Sequence, residues 1–201
     1  WGIKTLFRPL NHYKKFGVHR PKGLKPEYLD TINWVNGSGV RMPNAMLRTG
    51  WRSTTESYGY DLVTLNHYAL RSAESYLVKR DRGRVNHVDR DQGLNYWFRM
   101  NNNAVEDRRM LARLPMMRAE LERLMALPEV AAQHQASVAA HRARIDELHL
   151  RPDYEALYAE ITGDRLRKLS HLHGLFGKQI FMDGPDSVPT GFEDEFSSDE
   201  G

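Results

Sequence analysis

Asn66-His67-Tyr68, followed by Lys79, Arg82 and Arg84, is the densest run of groups able to do chemistry in this 201-residue sequence. An imidazole works near neutral pH as acid or base and can ligate a divalent metal. The Asn66 amide and Tyr68 phenol can hydrogen-bond a ligand's polar groups. Lys79, Arg82 and Arg84 carry positive charge, and an arginine fork matches phosphate oxygens in bidentate fashion. Each residue also has a plainer role open to it. Asn and Tyr end strands and cap helices, and cations in a last helical turn complement the helix dipole. His19 has the same two readings as His67: a metal-binding or acid/base imidazole, or a hydrogen-bonded structural one. Trp34 and Trp51 offer faces for stacking on a sugar ring, although large aromatics belong more often to cores.

The elements that must position these groups are legible in outline. Leu62–Leu65 is a short apolar run that places the Asn-His-Tyr triplet at a strand end, where open α/β folds hold their ligands. Ser72 reads as an N-cap, Glu74 and Ser75 as first-turn residues and Arg82-Gly83 as a stop, which predicts one short helix. The first hundred residues are otherwise rich in Gly, Pro, Asn and aromatics. Lys4–Phe7 and Thr31–Val35 alternate there with turn signals such as Asn36-Gly37-Ser38-Gly39, a pattern of short strands and loops. Beyond Ala104 the composition shifts to Leu, Met, Ala, Arg and Glu. Leu111, Leu114, Arg118, Leu121 and Met125 recur at helical spacing, and their apolar members predict a packing face against the domain or a partner helix. Pro128, Pro152 and Gly163 divide the next stretch into helices near Glu129–Leu148, Asp153–Ile161 and Asp164–Leu175. The last stretch, rich in Gly, Pro, Ser, Asp and Glu, predicts disorder. The expected organisation is α/β, with strands, loops and one helix over 1–103, a helical extension over 104–177 and a disordered acidic tail over 178–201.

Composition narrows the function classes. Hydrophobic residues make up 40% and charged residues 27%, as in a globular chain with a water-facing exterior. The absence of cysteine excludes disulfides, thiolate metal sites and a cysteine nucleophile, and is compatible with a cytoplasmic location. No run approaches the roughly 18 apolar residues that cross a bilayer, so no membrane span is expected. The net charge of +3 hides a basic body and an acidic end. The basic body leaves peripheral association with an anionic surface open, as well as a phosphate-bearing ligand. No nucleic-acid reader motif is present, so nucleic acid is not an expected partner. His171-x-His173 and the pair His134 and His141 lack zinc-site spacing, so no metal ligands are assigned. Walker-type loops and nucleophile elbows are missing too.

Four pieces in order carry a family resemblance: Phe16-Gly17-Val18-His19-Arg20-Pro21, Trp34-Val35-Asn36-Gly37-Ser38-Gly39, the run from Asn66-His67-Tyr68 through Ser72-Ala73-Glu74 to Lys79 and Arg82-Gly83, and Tyr96-Trp97-Phe98-Arg99-Met100-Asn101 with Val105-Glu106-Asp107. Over about Ile3 to Asp107 the chain resembles the glycosyltransferase family 2-like group related to the family 92 transferases. The resemblance implies the C-terminal part of a GT-A type α/β domain followed by a helical C-terminal half. It also implies a nucleotide-sugar donor, a glycan or other acceptor, and a divalent metal, Mn or Mg, bridging the diphosphate to an Asp-x-Asp-like motif upstream. Ile3–Phe7 reads like the middle of a domain, so the metal's carboxylate ligands are expected outside this sequence. Phe192-Glu193-Asp194-Glu195-Phe196 imitates such a motif at the wrong end of the domain. His67 and Asp107 become the catalytic candidates, Asp107 as the carboxylate base of an inverting transfer or else as a first-turn acid. His19, Arg20, Asn66, Tyr68, Lys79, Arg82 and Arg84 become the substrate- and phosphate-binding candidates. The alternative is a non-catalytic module for a phosphorylated glycan, an anionic surface or a protein partner.

Overall fold

Short apolar runs separated by turn residues cannot build a layered sheet on their own, and the first part of the chain shows the consequence. The computed structural model describes residues 2–8, 11–48, 50–83 and 92–196. The chain divides into two compact units, Trp1–His67 and Tyr68–Gly201. In the first unit, β1 (Tyr13–Phe16) and β2 (Pro21–Leu24) pair antiparallel with Tyr13 opposite Leu24 and Lys15 opposite Lys22. The connecting turn closes through the Gly17 N–H donating to the Arg20 carbonyl at 2.9 Å. One short helix, α1 (Asn44–Arg48), follows.

The strands expected at Lys4–Phe7, Thr31–Val35 and Leu62–Leu65 do not form among the described residues. Single pairings replace them: the Thr5 N–H donates to the His19 carbonyl at 3.0 Å, and the Met42 N–H to the Trp34 carbonyl at 2.8 Å. Asn36 organises the loop between Trp34 and Met42. Its side-chain oxygen accepts from the Ser38 and Val40 amides at 2.9 and 3.0 Å, while its amide donates to the Tyr58 carbonyl at 2.8 Å. Pro21, Met42 and Met46 are the buried apolar side chains of this unit among the described residues, whereas Leu6, Val18, Leu62 and Leu65 are exposed. Hydrogen-bonded turns, more than a hydrophobic core, define this unit.

The second unit is helical. α2 (Ala73–Arg82) begins at Ser72, whose hydroxyl accepts from the Ser75 N–H at 3.2 Å, and ends at Gly83 with φ +73°. These ends match the sequence expectation, and the glycine supplies a left-handed backbone that a side chain would resist. α3 (Leu94–Met100) has no counterpart among the sequence-based expectations. α4 (Leu114–Met125), α5 (Pro128–His149), α6 (Pro152–Thr162) and α7 (Asp164–His171) then follow the Pro and Gly punctuation closely. Tyr76 and Leu77 of α2, Tyr96, Trp97 and Phe98 of α3, and Leu148, Tyr154, Leu157, Ile161, Leu166 and Leu169 form one core. The unit boundary at 67/68 replaces the expected one at 103/104, because α2 and α3 bury their aromatics in the same core as the later helices. Asp81 ties α2 to α5: the Arg144 guanidinium donates to its carboxylate at 2.8 to 3.0 Å.

The expected disordered tail is corrected over its described part. Two short helices, α8 (Lys178–Asp183) and α9 (Phe192–Glu195), occupy it, and Pro185, Val188 and Glu193 are buried. Its acids are not all solvated. Glu193 pairs with Arg165 at 3.3 Å and Asp194 with Lys168 at 2.6 Å, so α7 supplies the counter-charges that composition alone could not assign to it.

His173 sits in this region among the rings of Phe98, Phe176 and Phe181, with its Nε2 buried and without a hydrogen-bond partner among the described residues. Burial lowers its pKa from 6.5, opposed by a hydrogen bond to the Phe98 backbone. As pH falls the unfolded chain therefore takes up this proton first. The contribution is complete above pH 6.5 and is lost as pH falls through that unfolded value toward the lower folded one. Denaturant melts taken between about pH 5 and 7.5 should show acid destabilisation of the second unit that His173→Phe reduces. Equal acid sensitivity in the two proteins would refute it.

Candidate functional site

In the second unit, helical spacing puts Ser75, Val78, Lys79 and Arg82 on one face of α2. Tyr68, Ala69, Leu70 and Arg71 run back along that face and, with His141 of α5, enclose a cavity of about 360 Å³. Lys79 fixes this wall: its ammonium donates to the Ala69 carbonyl at 2.5 Å and the Tyr96 hydroxyl at 3.0 Å, and it lies 4.7 Å from the Tyr96 ring centroid. Ser75 Oγ and His141 Nε2 share a hydrogen bond of 3.1 Å.

The charges of α2 are sorted between its faces. Glu74 accepts from the Tyr158 hydroxyl at 2.8 Å, and Asp81 is held by Arg144. The Glu74 carboxyl is lowered by its own backbone amide, by Tyr158 and by Ser72, so it stays ionised while bonded away from the cavity. Among the described residues the cavity lining contains Arg71, Lys79 and Arg82 and no Asp or Glu. Arg71 and Arg82 are exposed and make no ion pair among the described residues. An excess of positive charge on a concave surface attracts anions.

The sequence-derived candidates divide between the two units. Tyr68, Lys79 and Arg82 line this one cavity. Asn66, half-buried, and His67, exposed, lie at the end of the first unit in an irregular segment rather than at a strand end, and neither side chain is hydrogen-bonded among the described residues. His19 is structural in its contacts: Nδ1 donates to the Ile3 carbonyl at 3.0 Å and the ring packs 4.7 Å from Trp51. Arg20 is corrected as a phosphate ligand. It is buried, its guanidinium donates to the Met46 carbonyl and, at 2.8 Å, to the Arg48 carbonyl, and it lies over Trp34. Carbonyls left free at the end of α1 are natural partners for a guanidinium. Arg84 lies outside the described residues.

Asp107 is corrected as a base. Its carboxylate accepts from the Arg109 guanidinium at 2.5 and 3.0 Å and from the Arg109 backbone N–H at 2.9 Å, just before the 3-10 turn Arg109–Arg113. These bonds hold it down to about 2. A carboxylate so stabilised is a weak proton acceptor. Arg71, Ser75 and His141 are cavity residues that sequence reasoning does not assign to a site. Arg71 and Ser75 lie within the motif. His141 is 66 residues from its hydrogen-bond partner, and no local pattern points to it. Among the described residues no cluster of three or more His, Asp or Glu side chains could hold a metal ion.

The first unit has its own cavity of about 360 Å³, lined in part by Thr5, His12, Tyr13, Arg20 and Trp34. Thr5 Oγ1 and His12 Nδ1 are buried without hydrogen-bond partners among the described residues. The Tyr13 hydroxyl is pushed up by burial, with the nearby Arg20 charge acting against it. No helix among the described residues is long and apolar enough to cross a membrane. Compared with known proteins, the chain matches no family model, no curated sequence and no solved structure.

Proposed function

We propose that this chain supplies the phosphate-binding and acceptor-facing part of a nucleotide-sugar-dependent glycosyltransferase of GT-A type. The observation that carries the reading is the cavity on α2, where Tyr68, Lys79 and Arg82 meet with no carboxylate in the lining among the described residues. Negative charge builds on the diphosphate as the bond from the sugar carbon to phosphate oxygen breaks. The exposed Arg82 fork then holds that charge. Lys79 orients the wall through Ala69 and Tyr96 while adding its field to the site, and the exposed Tyr68 offers a hydroxyl to the ligand. A bound Mn or Mg ion would supply Lewis-acid stabilisation of the same diphosphate, through carboxylates that the described residues do not include.

Calorimetric titration with UDP and GDP, with and without manganese, tests the reading. Binding should be measurable, and Arg82→Ala should weaken it about tenfold, the value of one charge-assisted contact of about 1.4 kcal/mol. No binding of either nucleotide to the wild-type chain, or binding indifferent to Arg82, would remove it.

A second reading, a non-catalytic module that docks a protein, is favoured by one observation. Met110, Leu111, Met116, Met117 and Leu121 are exposed along the 3-10 turn and α4, so of the stripe expected to pack against the domain or a partner helix Leu111 and Leu121 are left uncovered, while Leu114 and Met125 are half-buried.

A further inference from the structure

We propose that the α2 cavity binds a phosphate-bearing ligand through Arg71 and His141 as well as Arg82, so that helix α5 forms part of the binding site. The proposal rests on the transferase reading and adds two contacts to it, one of them far away in the sequence. Electrostatics supply the first argument. Among the described residues three cationic side chains line the cavity, and both acids of α2 are bonded elsewhere, Glu74 to Tyr158 and Asp81 to Arg144. Like charges held together in a concave wall repel, and an anion relieves that repulsion. Lys79 is engaged by Ala69 and Tyr96, so it serves as a positioning residue that holds the 68–71 wall against α2. Arg71 and Arg82, exposed and without ion pairs among the described residues, are the forks left for phosphate oxygens.

Hydrogen-bond chemistry supplies the second argument. Ser75 Oγ and His141 Nε2 lie 3.1 Å apart at the cavity wall. If Nε2–H donates to Ser75, the serine hydroxyl proton is left for a ligand oxygen. If Nε2 accepts from Ser75, the ring keeps its Nδ1–H donor. In both tautomers the pair retains a donor. The cavity of about 360 Å³ falls within the range of small-ligand pockets, which starts near 300 Å³.

The test titrates the whole chain with inorganic pyrophosphate and with UDP at low salt, following the His141 ring resonances by NMR. The variants are Arg71→Ala, His141→Gln and, as a charge control on the exposed face of α4, Arg118→Ala. Pyrophosphate should move the His141 resonances. Arg71→Ala should weaken binding about tenfold and His141→Gln about fivefold, with Arg118→Ala near wild type. Equal losses in Arg71→Ala and Arg118→Ala would mean diffuse charge and overturn the proposal. So would unmoved His141 resonances or the absence of pyrophosphate binding. Pyrophosphate binding at His141 with no UDP binding would uphold the site and reject the donor reading. UDP binding that needs Arg82 but neither Arg71 nor His141 would do the reverse.

Discussion

Arg165→Ala should release the C-terminal segment from the second unit and lower its stability by about 3 kcal/mol, the usual cost of stranding a buried charge. Arg165 reaches three places in that segment. Its guanidinium donates to the Val188 carbonyl at 2.8 Å and the Pro185 carbonyl at 3.3 Å, and it pairs with the Glu193 carboxylate at 3.3 Å. Glu193 is only 7% exposed. Alanine would remove the 3.3 Å ion pair from that carboxylate and the guanidinium donor from the Val188 carbonyl, and both losses fall on the same packing. Val188 is buried in the core, and Phe192 stacks against Phe176 at 6.0 Å between ring centroids, so detachment would also expose apolar surface. The readouts are the thermal midpoint and the rate of proteolysis after Gly177. Adding Glu193→Gln should recover part of the loss, because the stranded charge is gone. A midpoint within about 1 °C of wild type would show that Arg165 does not hold the segment.

Gly37→Ala should have a comparable effect, confined to the first unit. A Cβ at position 37 would lie 2.2 Å from the Gly59 carbonyl oxygen and 2.3 Å from the Val63 carbonyl oxygen. Both are backbone atoms that cannot rotate away. The Gly37 carbonyl also accepts from the Leu62 and Val63 amides at 2.8 and 2.9 Å. Relieving the clash therefore breaks the contact between this loop and the 59–63 segment. A loss of about 3 kcal/mol or more is expected for the unit, read as faster amide exchange at 36–42 and 58–63. The melting of the second unit should be unchanged, since sites without shared partners behave independently. Ser38→Ala, which removes only the 3.3 Å bond from the Asp61 amide, should cost under about 1 kcal/mol. Similar exchange in the two variants would refute the close approach.

Much of the second unit is legible in the sequence. Ser72, Gly83, Pro128, Pro152 and Gly163 mark helix ends through local backbone chemistry that operates wherever the chain folds. The Ser72-to-Arg82 motif on α2 is legible for the same reason, as is the face that puts Ser75, Lys79 and Arg82 in line. α3 escapes sequence reading because Leu94–Met100 spans only seven residues, with Asn95 and Arg99 between the aromatics. So short a run shows no sustained period, and its helical form is set by burial. Asp107, read from the sequence as a base or a first-turn acid, precedes the 3-10 turn and bonds the Arg109 amide.

Partners distant in the chain are not legible. Whether Arg20 meets a phosphate or the end of α1, whether Glu193 meets water or Arg165, and whether His141 meets Ser75 depend on which segments fold beside each other. Residue type and spacing carry no record of that choice. The helix ends and the sign of the charge on the α2 motif were determined locally, by caps, glycines and side-chain chemistry within a few residues. Tertiary packing decided which cations were left without acids and which acids were left within reach of bases, because a charge becomes available or committed only when its neighbours are chosen.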